Sequence, residues 1–239
     1  MATKQIELPD IGAVTLYKRR GNRSLRLSIG SAGEVRVSMP YWLPYAAGER
    51  FARAKAGWIA RNRQPQPAAL RHGQIIGKAH RLVFVPTAQG NKVSARRKDT
   101  HIEISHPAAM APSAPAVQRA AHAAAIRALR YEAERLLPMR LRQLATPRNF
   151  TYQSVSIKQL KSRWGSCNAH KEITLNLFLM QLPWHLIDYV LLHELAHTRV
   201  MRHGPPFWAE LERHAPGAKQ LRKEIGSYHP VLHTEVSAH

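Results

Sequence analysis

A single cysteine, Cys167, stands in 239 residues, so no disulfide can form within the chain and nothing asks for an oxidising compartment. Acidic residues are scarce: 15 against 36 lysines and arginines, a formal net charge of +21. Such an excess favours contact with polyanions or acidic partners through the long-range field. Uninterrupted apolar runs are missing too. The most apolar stretch, LNLFLMQLPWHLIDYVLLHELA, is broken by Pro183, His185, Asp188, His193 and Glu194, which argues against a bilayer-spanning helix. The start, MATKQIELPDIG, lacks the basic and apolar segments of a secretory signal, and a soluble cytoplasmic protein without membrane partners is the expectation.

The charge is unevenly placed. Residues 1–150 hold 26 basic and 8 acidic side chains, a net of +18, while residues 151–239 hold 10 and 7, a net of +3.

The first third has the period of strands. In SLRLSIG and EVRVSMP apolar and polar residues alternate, and residues 30–33 between them form the turn of a hairpin. A helix is expected over residues 45–61, where Phe51, Ala54, Lys55 and Trp58 recur at helical spacing and QPQP at 64–67 stops it. RLVFVP and THIEIS are two further strands. The Pro-rich stretch 108–115, AAMAPSAP, is the expected domain boundary, and VQRAAHAAAIRALRYEAERLLPMRLRQL after it is one long helix containing Pro138. A strand, SVSIKQL, a turn containing WGSC and a second strand, EITLNLFL, follow. Pro183 opens a helix running through WHLIDYVLLHELAHTRVM until HGPP ends it, and FWAELERH and AKQLRKEI close the fold as short helices. No internal repeat is visible.

The chemistry concentrates in HELAHTRVMRH, residues 193–203. Residues four apart lie on one helical face, so His193 and His197 present two imidazoles at the spacing one metal ion needs. Glu194, one step round, stands beside the ion, where a carboxylate can deprotonate a bound water. A catalytic zinc takes a third protein ligand and keeps one position open; His203 is the candidate, because Gly204 and two prolines turn the chain there. Glu210, Glu212 and Glu224 are alternatives for that third place. With this composition, H-E-x-x-H followed by a further His six residues on arises by chance in roughly 0.3% of chains, so a metal site outweighs coincidence.

The stretch KSRWGSCNAHKEITLNLFLMQLPWHLIDYVLLHELAHTRVMRHGPPFW resembles the SprT-like zinc metallopeptidases, most closely their YgjP-like bacterial branch. RWGSC, ITLN, YVLLHELAH and HGPPFW occur in that family in this order. The resemblance covers residues 115–225 strongly and the first half weakly. The expected chain is α+β, with a β-rich basic region over residues 1–110 and a flexible tail at 229–239 read from the residues; the resemblance implies a minimal zincin-like metallopeptidase domain over 115–228. It further implies zinc on His193, His197 and His203, Glu194 as general base and a polypeptide substrate. Longer SprT proteins space the second and third histidines further apart, so their substrates are not carried over.

Other residues have plainer readings. A lone Cys167 in a turn is more often a small buried group than a thiolate near a metal. Trp164, Phe207 and Trp208 fit core positions better than a substrate pocket. The strand bearing Asn176 is a candidate sheet edge for an extended peptide, against an ordinary cross-strand polar residue. Tyr228 and Arg163 are candidate oxyanion partners that nothing in the spacing singles out. The tail histidines His229, His233 and His239 are read as solvated. The competing function is a basic nucleic-acid-binding protein, its phosphate contacts in the N-terminal region and its zinc site structural or vestigial.

Overall fold

The computed structural model describes residues 3–30, 34–62, 69–88 and 92–232, mixing helices with several small sheets. The chain forms two compact units, Met1–Ala68 and Ala69–His239. The first holds β1 (Thr3–Leu8), β2 (Gly12–Arg19), β3 (Arg26–Ile29) and β4 (Val35–Pro40), then α1 (Tyr45–Ala54) and α2 (Ala56–Asn62). Its strand order is β1-β2-β4-β3, with β2 and β4 parallel in the middle and an antiparallel partner on each flank. Period-two alternation turns Val14, Leu16, Val35, Val37 and Met39 inward, where Ala52 and Ile59 cover them. Gly48 lets α1 settle closely, since a Cβ there would lie 3.2 Å from the Met39 sulfur. The helix expected over 45–61 breaks at Lys55, and the QPQP expected to stop it lies outside the described residues.

The second unit begins with β5 (Ile75–Ile76), β6 (His80–Thr87), β7 (Ser94–Arg97) and β8 (His101–Pro107), ordered β5-β6-β8-β7. Its central pair β6/β8 is parallel and its flanks antiparallel. This is the first sheet's arrangement repeated, although the two sequences show no repeat: Val14↔Val35 and Leu16↔Val37 in one occupy the places of Leu82↔Ile102 and Phe84↔Ile104 in the other. The short, exposed β1, β5 and β7 carry too little alternation to be picked out of the sequence.

The stretch 108–115 leads from β8 into α3 (Pro115–Ala145) within this unit. Ala121, Ala124, Ala125 and Ala128 give α3 a smooth buried face, and Gln118 holds both the N–H and the C=O of Leu70. One turn of polar contacts is sunk into this packing. Glu132 of α3, 4% exposed, accepts the N–H groups of Lys78 (2.6 Å) and Ala79 (3.1 Å) and binds His80 Nδ1. Gly77 is required there twice over: its φ is +67°, and a Cβ would stand 2.1 Å from the Glu132 carboxylate. Lys78 Nζ in turn donates to the Leu182 carbonyl.

The third sheet, β10-β11-β9, comprises β9 (Ser154–Lys158), β10 (Gly165–Cys167) and β11 (Glu172–Asn176). A short 3-10 turn, Leu177–Gln181, then leads to α4 (Trp184–His197), followed by α5 (Pro205–His214) and α6 (Ala218–Ile225). Arg140 of α3 grips Asp188 of α4 with two guanidinium nitrogens. Of the residues expected to fray, Leu232 is buried and the Val231 carbonyl accepts from Gln181; residues 233–239, with His233 and His239, lie outside the described residues. Among the described residues, no helix is long and apolar enough to cross a membrane.

Candidate metal centre

The helix bearing HELAH stops at His197, four residues before the expected Met201. Past His197 the helix tightens into a closing turn, the Thr198 and Arg199 N–H groups bonding three residues back to the Leu195 and Ala196 carbonyls. The Arg199 guanidinium anchors that turn: it donates to the carbonyls of Arg148 and Asn149, pairs with Glu210, and lies 4.0 Å from the Phe150 ring centre. The resulting turn brings His203 back over the last turn of α4, and it places the Val200 carbonyl against His197 Nδ1 at 3.2 Å.

His193, His197 and His203 then converge through their Nε2 atoms, at 3.2 Å (193–197), 3.1 Å (197–203) and 3.0 Å (193–203). Nitrogens bound at about 2.0–2.1 Å to a tetrahedral zinc stand roughly 3.3–3.4 Å apart, so this triangle is the face such an ion needs, slightly contracted. Three imidazole nitrogens cannot satisfy one another in a triangle, whereas a cation takes all three lone pairs. Burial and the neighbouring histidines push the His193 imidazolium down to about 3, and burial lowers His197 as well, which keeps both rings neutral and able to ligate. His197 donates from Nδ1 to Val200, which directs its Nε2 lone pair into the cluster.

The three carboxylates proposed for the third place are engaged elsewhere. Glu210 binds Arg199, Arg213 and His214; Glu212 accepts from the N–H groups of Gly217 and Ala218 at the start of α6; Glu224 pairs with His185. Among the described residues, the group able to hold a metal is His193, His197 and His203.

Glu194 is 5% exposed and its Oε2 has no hydrogen-bond partner among the described residues. Burial pushes its carboxyl up to about 8, with the Arg163 guanidinium pulling the other way. A dication beside it would reverse that logic and hold it ionised. β10 runs directly over this carboxylate: a Cβ on Gly165 would lie 2.6 Å from Glu194 Oε1, so the glycine of WGSC is the residue that lets the strand pass. The segment expected to be a turn is therefore a short strand flanking the site.

The expected peptide edge is corrected as well. β11, which carries ITLN, lies between β10 and β9 and has no free edge. Its Asn176 is fully buried; it donates to the carbonyls of Leu160 and Arg163 and accepts from the Phe178 N–H, thereby shaping the loop that delivers β10. β10 is the margin on the side of the metal centre.

Phe207, read as core from the sequence, is fully buried and is also the floor of the site. Its ring centre lies 4.9, 4.4 and 4.7 Å from those of His193, His197 and His203. Trp208 stacks beside His203 and carries Arg222 on its ring, a residue that sequence reasoning missed because the packing of α6 on α5 cannot be read from spacing. Cys167 is a thiol: burial, then Glu194, push it up to about 11. Tyr228 packs against the core, and Arg163 is exposed.

A family model described as YgjP-like, metallopeptidase domain, matches residues 23–228. Among solved structures, the metallopeptidase zymogen abylysin of Pyrococcus abyssi is 27% identical, covering 38% of this chain and 91% of that one, with a TM-score of 0.35. The metallopeptidase zymogen jannalysin of Methanocaldococcus jannaschii is 22% identical, covering 37% and 92%, with a TM-score of 0.34. No curated protein matches.

Proposed function

The chain belongs to the YgjP-like metallopeptidase domain family and is thus a metal-dependent peptidase acting on polypeptide; from that premise we propose that the metal is zinc, held by His193, His197 and His203, and that Glu194 is the general base. The observation carrying this reading is the convergence of three Nε2 atoms within 3.2 Å beside a buried carboxylate with one unpartnered oxygen. Zinc bound there supplies Lewis acidity, which polarises a carbonyl and makes a water more acidic.

The rest is done by side chains. Neutral His193 and His197 offer lone pairs without first losing a proton. Glu194 takes a proton from the attacking water and returns it to the leaving amine, as general acid–base catalysis requires. Phe207 and the packed end of α4 exclude bulk water from one side, which strengthens each polar contact. A substrate segment extends along β10, whose outer main-chain groups can pair with a peptide of any sequence, so its carbonyl comes to rest between Glu194 and the histidines.

The decisive variant is Glu194→Gln, which preserves shape but cannot accept the proton. Zinc content and folding should persist, while cleavage of an unfolded polypeptide falls at least on the order of a hundredfold. Equal cleavage by both proteins would move the base elsewhere. Zinc retained without cleavage by either protein would favour a scaffold.

A further inference from the structure

The first unit carries a surface that the metal centre does not use. Residues 1–68 hold 12 basic and 4 acidic side chains, a net of +8, and five of the cations, Lys18, Arg19, Arg20, Arg23 and Arg26, fall within nine positions. Tertiary pairing concentrates more at the same place. β2 and β4 run parallel with Arg19 opposite Pro40, so Tyr41 and Trp42 leave β4 at the end where Arg20 leaves β2. β3 starts opposite Ser38, which keeps the intervening loop at that end.

A run of charge is ordinarily a solvated face. Two observations separate this one from that reading. Tyr41 and Trp42, adjacent in the chain, are 57% and 74% exposed, although aromatic rings of this size are what a core gains most from burying. Cations stand on the aromatic rings: Lys18 Nζ is 5.7 Å from the Tyr41 ring centre and 4.9 Å from that of Tyr45, and Arg20 Cζ is 5.9 Å from Tyr41. The unit's ion pairs among the described residues, Arg36–Glu34 and Arg53–Glu49, include none of the five.

A partner that matches must supply closely spaced negative charge and flat apolar faces together. A duplex hides its base faces in the stack, and an acidic peptide answers the cations while leaving the indole unused. Unpaired bases on a phosphate backbone meet both demands, by stacking and by charge. We propose that this end of the first unit binds single-stranded nucleic acid, with bases stacked on Tyr41 and Trp42 and phosphates held by the five cations. The site is independent of the peptidase reading.

The test uses the full chain and fluorescein-labelled twelve-nucleotide dT and rU strands, followed by anisotropy over a salt series. Both strands should bind more tightly than a hairpin duplex of equal length, and log affinity should fall with log salt at a slope of about −2 to −3.5, roughly −0.7 per phosphate neutralised. Trp42→Ala, at an exposed position, should keep the melting profile and the slope yet weaken binding roughly five- to a hundredfold, the range for one lost stack. Arg19→Gln with Arg20→Gln should flatten the slope by about 1.4. Absence of binding at low salt, affinity unmoved by Trp42→Ala, equal competition by polyglutamate, or stronger association with phosphatidylglycerol vesicles than with either strand would each overturn the proposal.

Discussion

The first sheet and the second share a strand order and a pairing pattern, and they differ in what is buried on them. The cluster under β2 and β4, among the described residues, is built from apolar side chains, with two short helices contributing Ala52 and Ile59. On β6 and β8 lies a 31-residue helix, and within that contact Glu132 holds residues 78–80, whose Lys78 reaches on to the Leu182 carbonyl, two residues before α4 begins. Apolar burial is non-directional and tolerates small shifts, whereas a buried carboxylate with three donors is satisfied in one arrangement only. One sheet is thus a support for its exposed end. The other ties its turn to α3 and to the entry of the metal helix.

This contrast can be broken most severely at the metal. The wild-type protein should bind about one zinc per chain, and His193→Ala or His197→Ala should remove it, because two remaining ligands do not retain it against chelators. Metal analysis after dialysis against a chelator reads this, and unchanged content in both variants would end the ligand assignment. His203→Ala, at an exposed position, should weaken binding without abolishing it.

Next in size is Glu132→Ala, which strands two N–H groups and His80 in the core. A loss of about 3–5 kcal/mol is expected, seen as a lower midpoint for the second unit in denaturant unfolding with the first unit's transition unmoved. A loss below about 1 kcal/mol would mean that the polar cluster does not distinguish the two sheets.

The smallest of the three is Leu16→Ala in the first sheet, where a fully buried side chain leaves a cavity and about 2–4 kcal/mol is lost. Zinc content and hydrolysis should stay at wild-type levels. A parallel fall in zinc affinity would show that the units are energetically coupled.

How far the chain was legible follows the range of the interactions involved. The β3–β4 hairpin, α3 and the closing helices were visible because period and turn residues act over a few positions. β10 reads as a turn in the sequence because its three residues carry no alternation; its antiparallel pairing with β11 makes it a strand, and the Glu194 carboxylate beneath it accounts for Gly165. The sequence leaves the Asn176 strand open between an edge and an interior place because pairing partners cannot be read from one strand; β9 and β10 pair on its two sides. The turn that closes α4 is anchored by Arg199, whose partners Arg148 and Asn149 lie about fifty residues upstream and so leave no local signal.

By itself the sequence determined the pair His193 and His197 with Glu194 between them, since spacing along one helix is local geometry. It also determined the basic excess of the first half, which is simple composition. Tertiary structure alone decided that His203 completes the triangle while three glutamates do not, that Phe207 floors it, and that Tyr41 and Trp42 meet Lys18 and Arg20 at one end of a sheet. Each of these joins residues whose proximity depends on how strands pair and helices pack, and that is set by burial of the whole core rather than by any short segment.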